Sequence, residues 1–240
     1  MKPINALAAS LLLACGTVAA DPGYYVVTTY SDAGKRTLDF RYWTLKFDGM
    51  PEVIWPELGL GYGVTDRWTT ELFASWIGSS QMSTSLKSWN WQNDYLLTQG
   101  QYPVDLAVHT QLIHVADTGW AFEVGPAMQT DIGRTQLNLN FFLDRAFRTT
   151  MPRRTELKYQ WQVRHRWQRG LHFGLQGFGE LGPWDDWYAR SQQSHRAGPA
   201  LFGKFNVGDG TALNWQAAYL YGKTVGINGH MFTARVHLDF

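Results

Sequence analysis

The chain has 240 residues, a length that fits one or two domains. Charged residues make up 17% and aromatic residues 15%, which excludes an intrinsically disordered chain and a coiled coil. The single cysteine excludes a disulfide scaffold. The 21 Lys and Arg residues are balanced by 20 Asp and Glu residues, so nothing in the charge favours a nucleic-acid partner.

Residues 1–20 have the pattern of a secretory signal peptide. Lys2 supplies a positive charge, residues 6–15 are apolar except for one serine, and residues 18–20 are small enough for a cleavage site. The apolar run is too short for a transmembrane helix. We therefore expect an exported chain that loses Cys15, its only cysteine, with this segment. A lipoprotein-type cleavage at Cys15 is a less suitable alternative.

The role of residues 21–35 stays open from the sequence. Residues 24–30 contain alternating aromatic and β-branched side chains. They fit an extra strand, an inner plug or a periplasmic tail. An extra strand would break the even strand count expected for the rest of the chain.

Residues 36–240 alternate between apolar and polar side chains in stretches of about ten residues, which is typical of β-strands. The clearest stretch is 156–168, with an aromatic-rich face and a face of long polar side chains. The predicted strands are 36–47, 54–64, 67–77, 84–97, 102–115, 119–130, 134–147, 155–168, 170–180, 195–207, 211–223 and 231–240.

These twelve strands predict an all-β fold, an antiparallel transmembrane β-barrel. A sheet in hydrocarbon must close on itself, because lipid cannot satisfy the hydrogen bonds of an open edge. Connections after even-numbered strands are expected to be short. Those at 78–83, 148–154 and 181–194 are expected to be longer. This layout indicates an outer-membrane barrel with both termini in the periplasm. A soluble β-sandwich is the alternative.

The last predicted strand has apolar residues at alternate positions, and Val236, Leu238 and Phe240 share one face. An alternating strand that ends on an aromatic residue resembles the assembly signal of bacterial outer-membrane barrels. We therefore expect outer-membrane lipid and the barrel-assembly machinery as partners.

Several strand-turn segments resemble those of a family of small Gram-negative outer-membrane barrels, the transporters of the MetA-pathway of phenol degradation type. They are Gly61–Trp68, Gln101–Asp105, Glu123–Pro126, Gln129–Arg134 and Gly198–Leu201. The likeness covers about residues 36–240. It implies a barrel with a transport role, but it assigns no ligand-binding residue.

The polar face of the strands predicts the lumen, where acidic and basic side chains occur in equal numbers, Lys204 among the basic ones. The main predicted lumen-lining residues are Asp39, Arg41, His109, Glu123, Arg134, Asp144, Glu156, Lys158, Arg164, Arg166, His172, Arg235, His237 and Asp239. A mixed-charge polar lumen favours a channel or transporter for small solutes. A non-conducting structural or binding barrel, with charges paired across a narrow interior, is the alternative.

Enzymatic sites find little support in the sequence. An outer-membrane lipid hydrolase is a second alternative, but Ser194 and His195 are adjacent and would point to opposite faces of a strand. The glycine pattern at 177–182 is not followed by the helix that a dinucleotide site needs. No histidine spacing matches a zinc motif. We therefore expect no catalytic residue, no metal and no cofactor.

Closing the barrel should pair strand 36–47 with strand 231–240. We expect Arg41 or Arg235 to lie between Asp39 and Asp239. A second, basic cluster is expected at the same end of the barrel, drawing small anions if the lumen is wet. Its members are Arg134, Arg164, Arg166 and His172, with Asp144, Glu156 and Lys158 at the opposite end.

Replacing Phe240 with Asp should lower the amount of folded barrel in the outer membrane, because a charge would interrupt the apolar face of the last strand. Heat-modifiable gel mobility of membrane fractions measures this. The control is Phe240→Tyr, which keeps a terminal aromatic residue on that face. Equal amounts of folded barrel in wild type and Phe240→Asp would contradict the assembly role.

Overall fold

The computed structural model describes residues 24–149, 154–208 and 210–240. The predicted signal peptide lies outside these ranges. The twelve strands are β1 (Arg36–Phe47), β2 (Val53–Thr65), β3 (Trp68–Ser79), β4 (Met82–Leu96), β5 (Asp105–Val115), β6 (Gly119–Ile132), β7 (Thr135–Phe147), β8 (Glu156–Gln168), β9 (Leu171–Pro183), β10 (Ser194–Gly208), β11 (Thr211–Thr224) and β12 (Ile227–Asp239). Within the described ranges, no helix is long and apolar enough to cross a membrane.

The strands form a closed antiparallel barrel in which each strand pairs with its sequence neighbours and β1 pairs with β12. The closing seam runs from Thr37 opposite Asp239 to Phe47 opposite Gly229. Both the strand count and the predicted closure are confirmed. We call the end of the barrel that carries the start of β1 and the finish of β12 the terminal end, and the opposite end the loop end.

The expected difference in connection length is wrong at two places. β3 and β4 continue to a tight turn at residues 80–81, because Ser79 still pairs with Met82 beyond the apolar part of the strands. At the terminal end, the connection between β4 and β5 runs from 97 to 104. Pro103 has no N–H to donate to a ladder, which delays the start of β5 to Asp105.

The two faces of the barrel have inverted polarity compared with a soluble protein. On the outer face, Leu60 is 66% exposed and Leu72 51% exposed. On the inner face, Asn140 is fully buried and Gln162 is 3% exposed. An apolar exterior around a polar interior is the pattern of a membrane-spanning barrel and not of a sandwich.

An extended segment, Tyr24–Lys35, precedes β1. Its residues 24–29 lie inside the barrel, and residues 30–35 lie at the rim. We call it the inner segment. Tyr24 and Val26 pack against one side of the lumen, and Tyr25 and Val27 against the other. Side chains of the barrel wall bond the backbone of this segment in place of a neighbouring strand. The Val27 N–H donates to Gln160 Oε1 at 3.1 Å, and Asn140 Nδ2 donates to the Val27 carbonyl oxygen at 2.9 Å. Of the three roles the sequence left open, the position of residues 24–29 fits an inner plug.

Gly63 on β2 lets the inner segment enter the barrel. Its backbone N–H donates to the Lys35 carbonyl at 2.8 Å, and its own carbonyl accepts from the Gly34 N–H at 2.7 Å. A Cβ at Gly63 would lie 1.8 Å from the Asp32 carbonyl oxygen. Relieving this contact would require the backbone of the inner segment to move, because the contacting atom does not belong to a flexible side chain.

Gly63→Ala should therefore displace the inner segment and expose its tyrosines to protease. Chymotrypsin cleavage at the buried Tyr24 and Tyr25 of the folded, detergent-solubilised protein, read by mass spectrometry, measures this. Gly208→Ala is the control, because a Cβ there meets no atom within 4 Å. Unchanged cleavage in Gly63→Ala would show that the segment is not held by this contact.

Candidate functional site

The candidate site is a chamber in the terminal half of the lumen, with a cavity volume of about 470 Å³. The inner segment forms one wall through Tyr25, Val26 and Val27. The chamber reaches solvent at the terminal end, where Asp32 and Lys204 are exposed. The charged side chains that line it are Asp32, Lys35, Arg41, Glu71, Asp94, Arg164, Arg166, Lys204, Arg235 and Asp239.

An apolar cluster fills the lumen beyond the chamber, toward the loop end. The Tyr24 ring lies edge-on to Trp43, with ring centroids 5.0 Å apart, and to Phe178, at 5.4 Å. Leu220 and Met231 complete the packing and are fully buried. This cluster, together with the inner segment, separates the chamber from the loop end.

Sequence reasoning missed this cluster because it looked for polar residues on the inner face. The signal was present in β1, where Trp43 and Leu45 have the same phase as Asp39 and Arg41. One strand therefore has a charged inner face at the terminal end and an apolar inner face at the loop end.

Asp39 is the buried centre of the charge network. It has no solvent exposure, and its Oδ2 lies 2.8 Å from Arg41 Nε and 2.8 Å from Arg235 Nη2. The Arg41 guanidinium carbon is 3.4 Å from the ring centroid of Tyr25 and 3.7 Å from that of Phe73. Cation–π contact therefore links the network to the inner segment.

The expected arginine between Asp39 and Asp239 is not found, because both arginines pair with Asp39. Asp239 instead accepts from Thr37 Oγ1 at 3.0 Å and from Asn214 Nδ2 at 2.9 Å. Its cation is Lys35, at 3.5 Å. The carboxylates of Asp32 and Asp239 outweigh the effect of burial and hold the pKa of Lys35 above its ordinary value.

A second network follows the inner wall from β4 to β8. His109 Nδ1 lies 2.6 Å from Asp94, and its Nε2 lies 3.7 Å from Glu123. Lys158 extends this network, with its Nζ 3.5 Å from Glu123 and 3.1 Å from Asp144. Glu156, also predicted for the lumen, is half-buried at the start of β8.

Glu57 is an acidic residue that sequence reasoning missed. It is 1% exposed and accepts a hydrogen bond from Ser75 Oγ at 3.0 Å. Glycines occupy the next inner positions of β2, so the polar face is hard to recognise. The outward alternation of Leu58 and Leu60 could have revealed its phase.

The predicted basic cluster forms only in part. Arg164 Nε donates to His172 Nδ1 at 2.9 Å, while Arg166 pairs with Asp131 at 2.9 Å near the rim. The prediction is wrong for Arg134, which is exposed in the turn after Gly133 and donates to the Trp167 carbonyl at 2.6 Å. The turn takes Arg134 out of the inward phase of the strands.

The adjacent Ser194 and His195 do not form a catalytic pair. Ser194 Oγ donates to Glu180 at 3.2 Å inside the barrel, whereas the His195 ring bonds the hydroxyl of Tyr159 at 2.8 Å. The remaining predicted residue, His237, lines the chamber. Among the described residues, no group of histidine and acidic side chains has the geometry of a metal site.

No family model matches the sequence, and no curated protein matches it significantly. Solved structures do match. The COG4313 outer membrane channel from Pseudomonas putida F1 gives a TM-score of 0.63 at 13% identity, covering 92% of this chain and 100% of that chain. The fold is that of an outer-membrane β-barrel. The NanC porin (TM-score 0.59, 10% identity) and the KdgM porin (0.56, 8%) each cover 85% of this chain and 98% of their own.

Removing the Asp39 carboxylate should strongly destabilise the barrel, because two guanidinium groups would remain in the lumen without their shared partner. Asp39→Asn and Asp39→Ala are each expected to lower the free energy of unfolding by about 3–5 kcal/mol. Urea unfolding of the refolded protein measures this. Asp185→Asn serves as the control, since Asp185 and its partner Arg154 are both exposed and such pairs contribute little. Equal midpoints for the Asp39 and Asp185 variants would refute the buried network.

Proposed function

We propose that this chain is an outer-membrane channel for small polar solutes. The observation that carries the proposal is a polar chamber, open at one end, inside a closed barrel whose outer face is apolar. A mixed-charge lining offers hydrogen bonds and ion pairs to many small solutes without excluding one sign of charge. The similar solved structures include porins, and the KdgM porin is also known in complex with oligogalacturonate.

The orientation in the membrane is part of this proposal. An even number of strands puts both ends of the barrel chain on one side, and for exported barrels that side is the periplasm. The chamber would then open toward the periplasm. Export through a cleaved signal peptide, insertion by the barrel-assembly machinery, and membership of the family that the strand-turn segments resemble belong to the same proposal.

The inner segment would close the channel in the described state. Tyr24 lies in the apolar cluster, and Tyr25 contacts Arg41 and accepts a hydrogen bond from Gln92. At the rim, the Tyr30 hydroxyl accepts from Gln129 and Gln136, both at 2.6 Å. Passage of a solute would require these anchors to release.

Weakening the anchors should therefore raise conductance. The double variant Tyr24→Ala and Tyr25→Ala should conduct more than wild type in planar bilayers, because it removes the aromatic contacts in both halves of the lumen. Tyr102→Ala, at a position 67% exposed in the β4–β5 connection, is the control and should match wild type.

A non-conducting binding barrel is the second candidate. The apolar cluster around Trp43 and Phe178 favours it, because buried apolar side chains fill that part of the path. If wild type, the double variant and a variant lacking residues 24–35 all fail to conduct while retaining heat-modifiable mobility, the channel proposal is wrong and the binding barrel is supported.

A further inference from the structure

The chamber wall formed by β8 to β11 is basic. Arg164 on β8 and Lys204 on β10 line it, and neither strand β9 nor β11 places a carboxylate beside them there. Arg164 is half-buried, with its Nε bonded to His172 and its guanidinium carbon 5.2 Å from the Phe202 ring centroid. Its guanidinium has two further nitrogens that can donate hydrogen bonds.

The other cations of the chamber already have acidic partners. Lys35 contacts Asp32 and Asp239. Arg41 and Arg235 share Asp39, and Arg166 pairs with Asp131. Among the described residues, no carboxylate lies within ion-pair distance of Arg164 or Lys204. Two positive charges are therefore left for something that enters the chamber.

A charge that is partly removed from water, such as that of the half-buried Arg164, is stabilised by an opposite charge or a hydrogen-bond acceptor. Lys204 lies at the solvent-exposed mouth of the same chamber. Gln162, Asn214 and Gln216 add amide groups around the two cations. Phe202 adds apolar surface on the same wall. Charge-assisted donors beside an apolar surface suit the carboxylates and the short carbon chain of an organic anion.

We infer that the chamber is a binding site for a small organic dianion, a short dicarboxylate, recognised by Arg164 and Lys204. This deepens the proposed function by naming a solute class for the channel. The site itself depends only on the chamber, which is open at the terminal end in the described state, and not on passage through the barrel.

The test is isothermal titration of the folded, detergent-solubilised full chain with succinate as the probe. Wild type should bind succinate and not the neutral analogue succinamide. Arg164→Gln and Lys204→Gln should each weaken binding by about tenfold or more, since each removes one charge-assisted contact. Arg134→Gln is the matched control: it removes a cation at the same end whose side chain lies outside the chamber, and it should leave binding unchanged.

Three results would overturn the inference. The first is no binding to wild type at about 10 mM succinate, ten times a dissociation constant of about 1 mM. The second is equal binding by wild type and the Arg164→Gln, Lys204→Gln double variant. The third is equally tight binding of inorganic sulfate, which would indicate a general anion site and not a site for dicarboxylates. Conductance is measured separately. A barrel that binds succinate but does not conduct would refute the channel proposal and would still support the binding site.

Discussion

The need to pair every backbone hydrogen bond in hydrocarbon determines the rest of this structure. A sheet that spans a membrane can meet that need only by closing, here through β1 and β12. Closure with twelve strands creates an interior too wide for the wall side chains to fill alone. Because alternate residues face inward, that interior receives most of the polar side chains of the strands. The chain must then satisfy those side chains with partners that are not lipid.

The inner segment and the charge networks answer this need in different halves of the lumen. At the loop end, Tyr24 packs into an apolar cluster, and buried hydrophobic side chains fill most of the space. At the terminal end, the buried carboxylate of Asp39 is shared by two arginines, and Tyr25 covers one of them. Removing either partner of such a buried pair costs more than forming it gains, so the network fixes the position of the segment more than it adds stability.

The wall of the barrel could be predicted from the sequence, whereas the contents of the lumen could not. A period of two residues defines each strand, and hydrocarbon keeps the outer face apolar over its whole length. Inside the barrel, the alternation along a strand predicts which side chains face the lumen, but it does not predict which charged side chains form pairs. Arg41 and Arg235 both pair with Asp39, and Arg134 lies in a turn outside the lumen. The alternation of Tyr24 to Val27 looked like a strand, but its partners are side chains such as Gln160 and Asn140. Only the closed geometry brings those together.

In the proposed channel, the same geometry couples the chamber to its closure. Tyr25 and Val27 form part of the chamber wall and are also buried anchors of the inner segment. Any solute that contacts this wall interacts differently with the closed arrangement and with one in which the segment has moved. By linkage, the solute then shifts the balance between the two arrangements by the ratio of its affinities for them. A solute that binds equally well to both arrangements would not change the position of the inner segment. Contacts to Arg164 and Lys204 alone, on the opposite wall, would retain the solute, whereas contacts to Tyr25 would be needed to open the path.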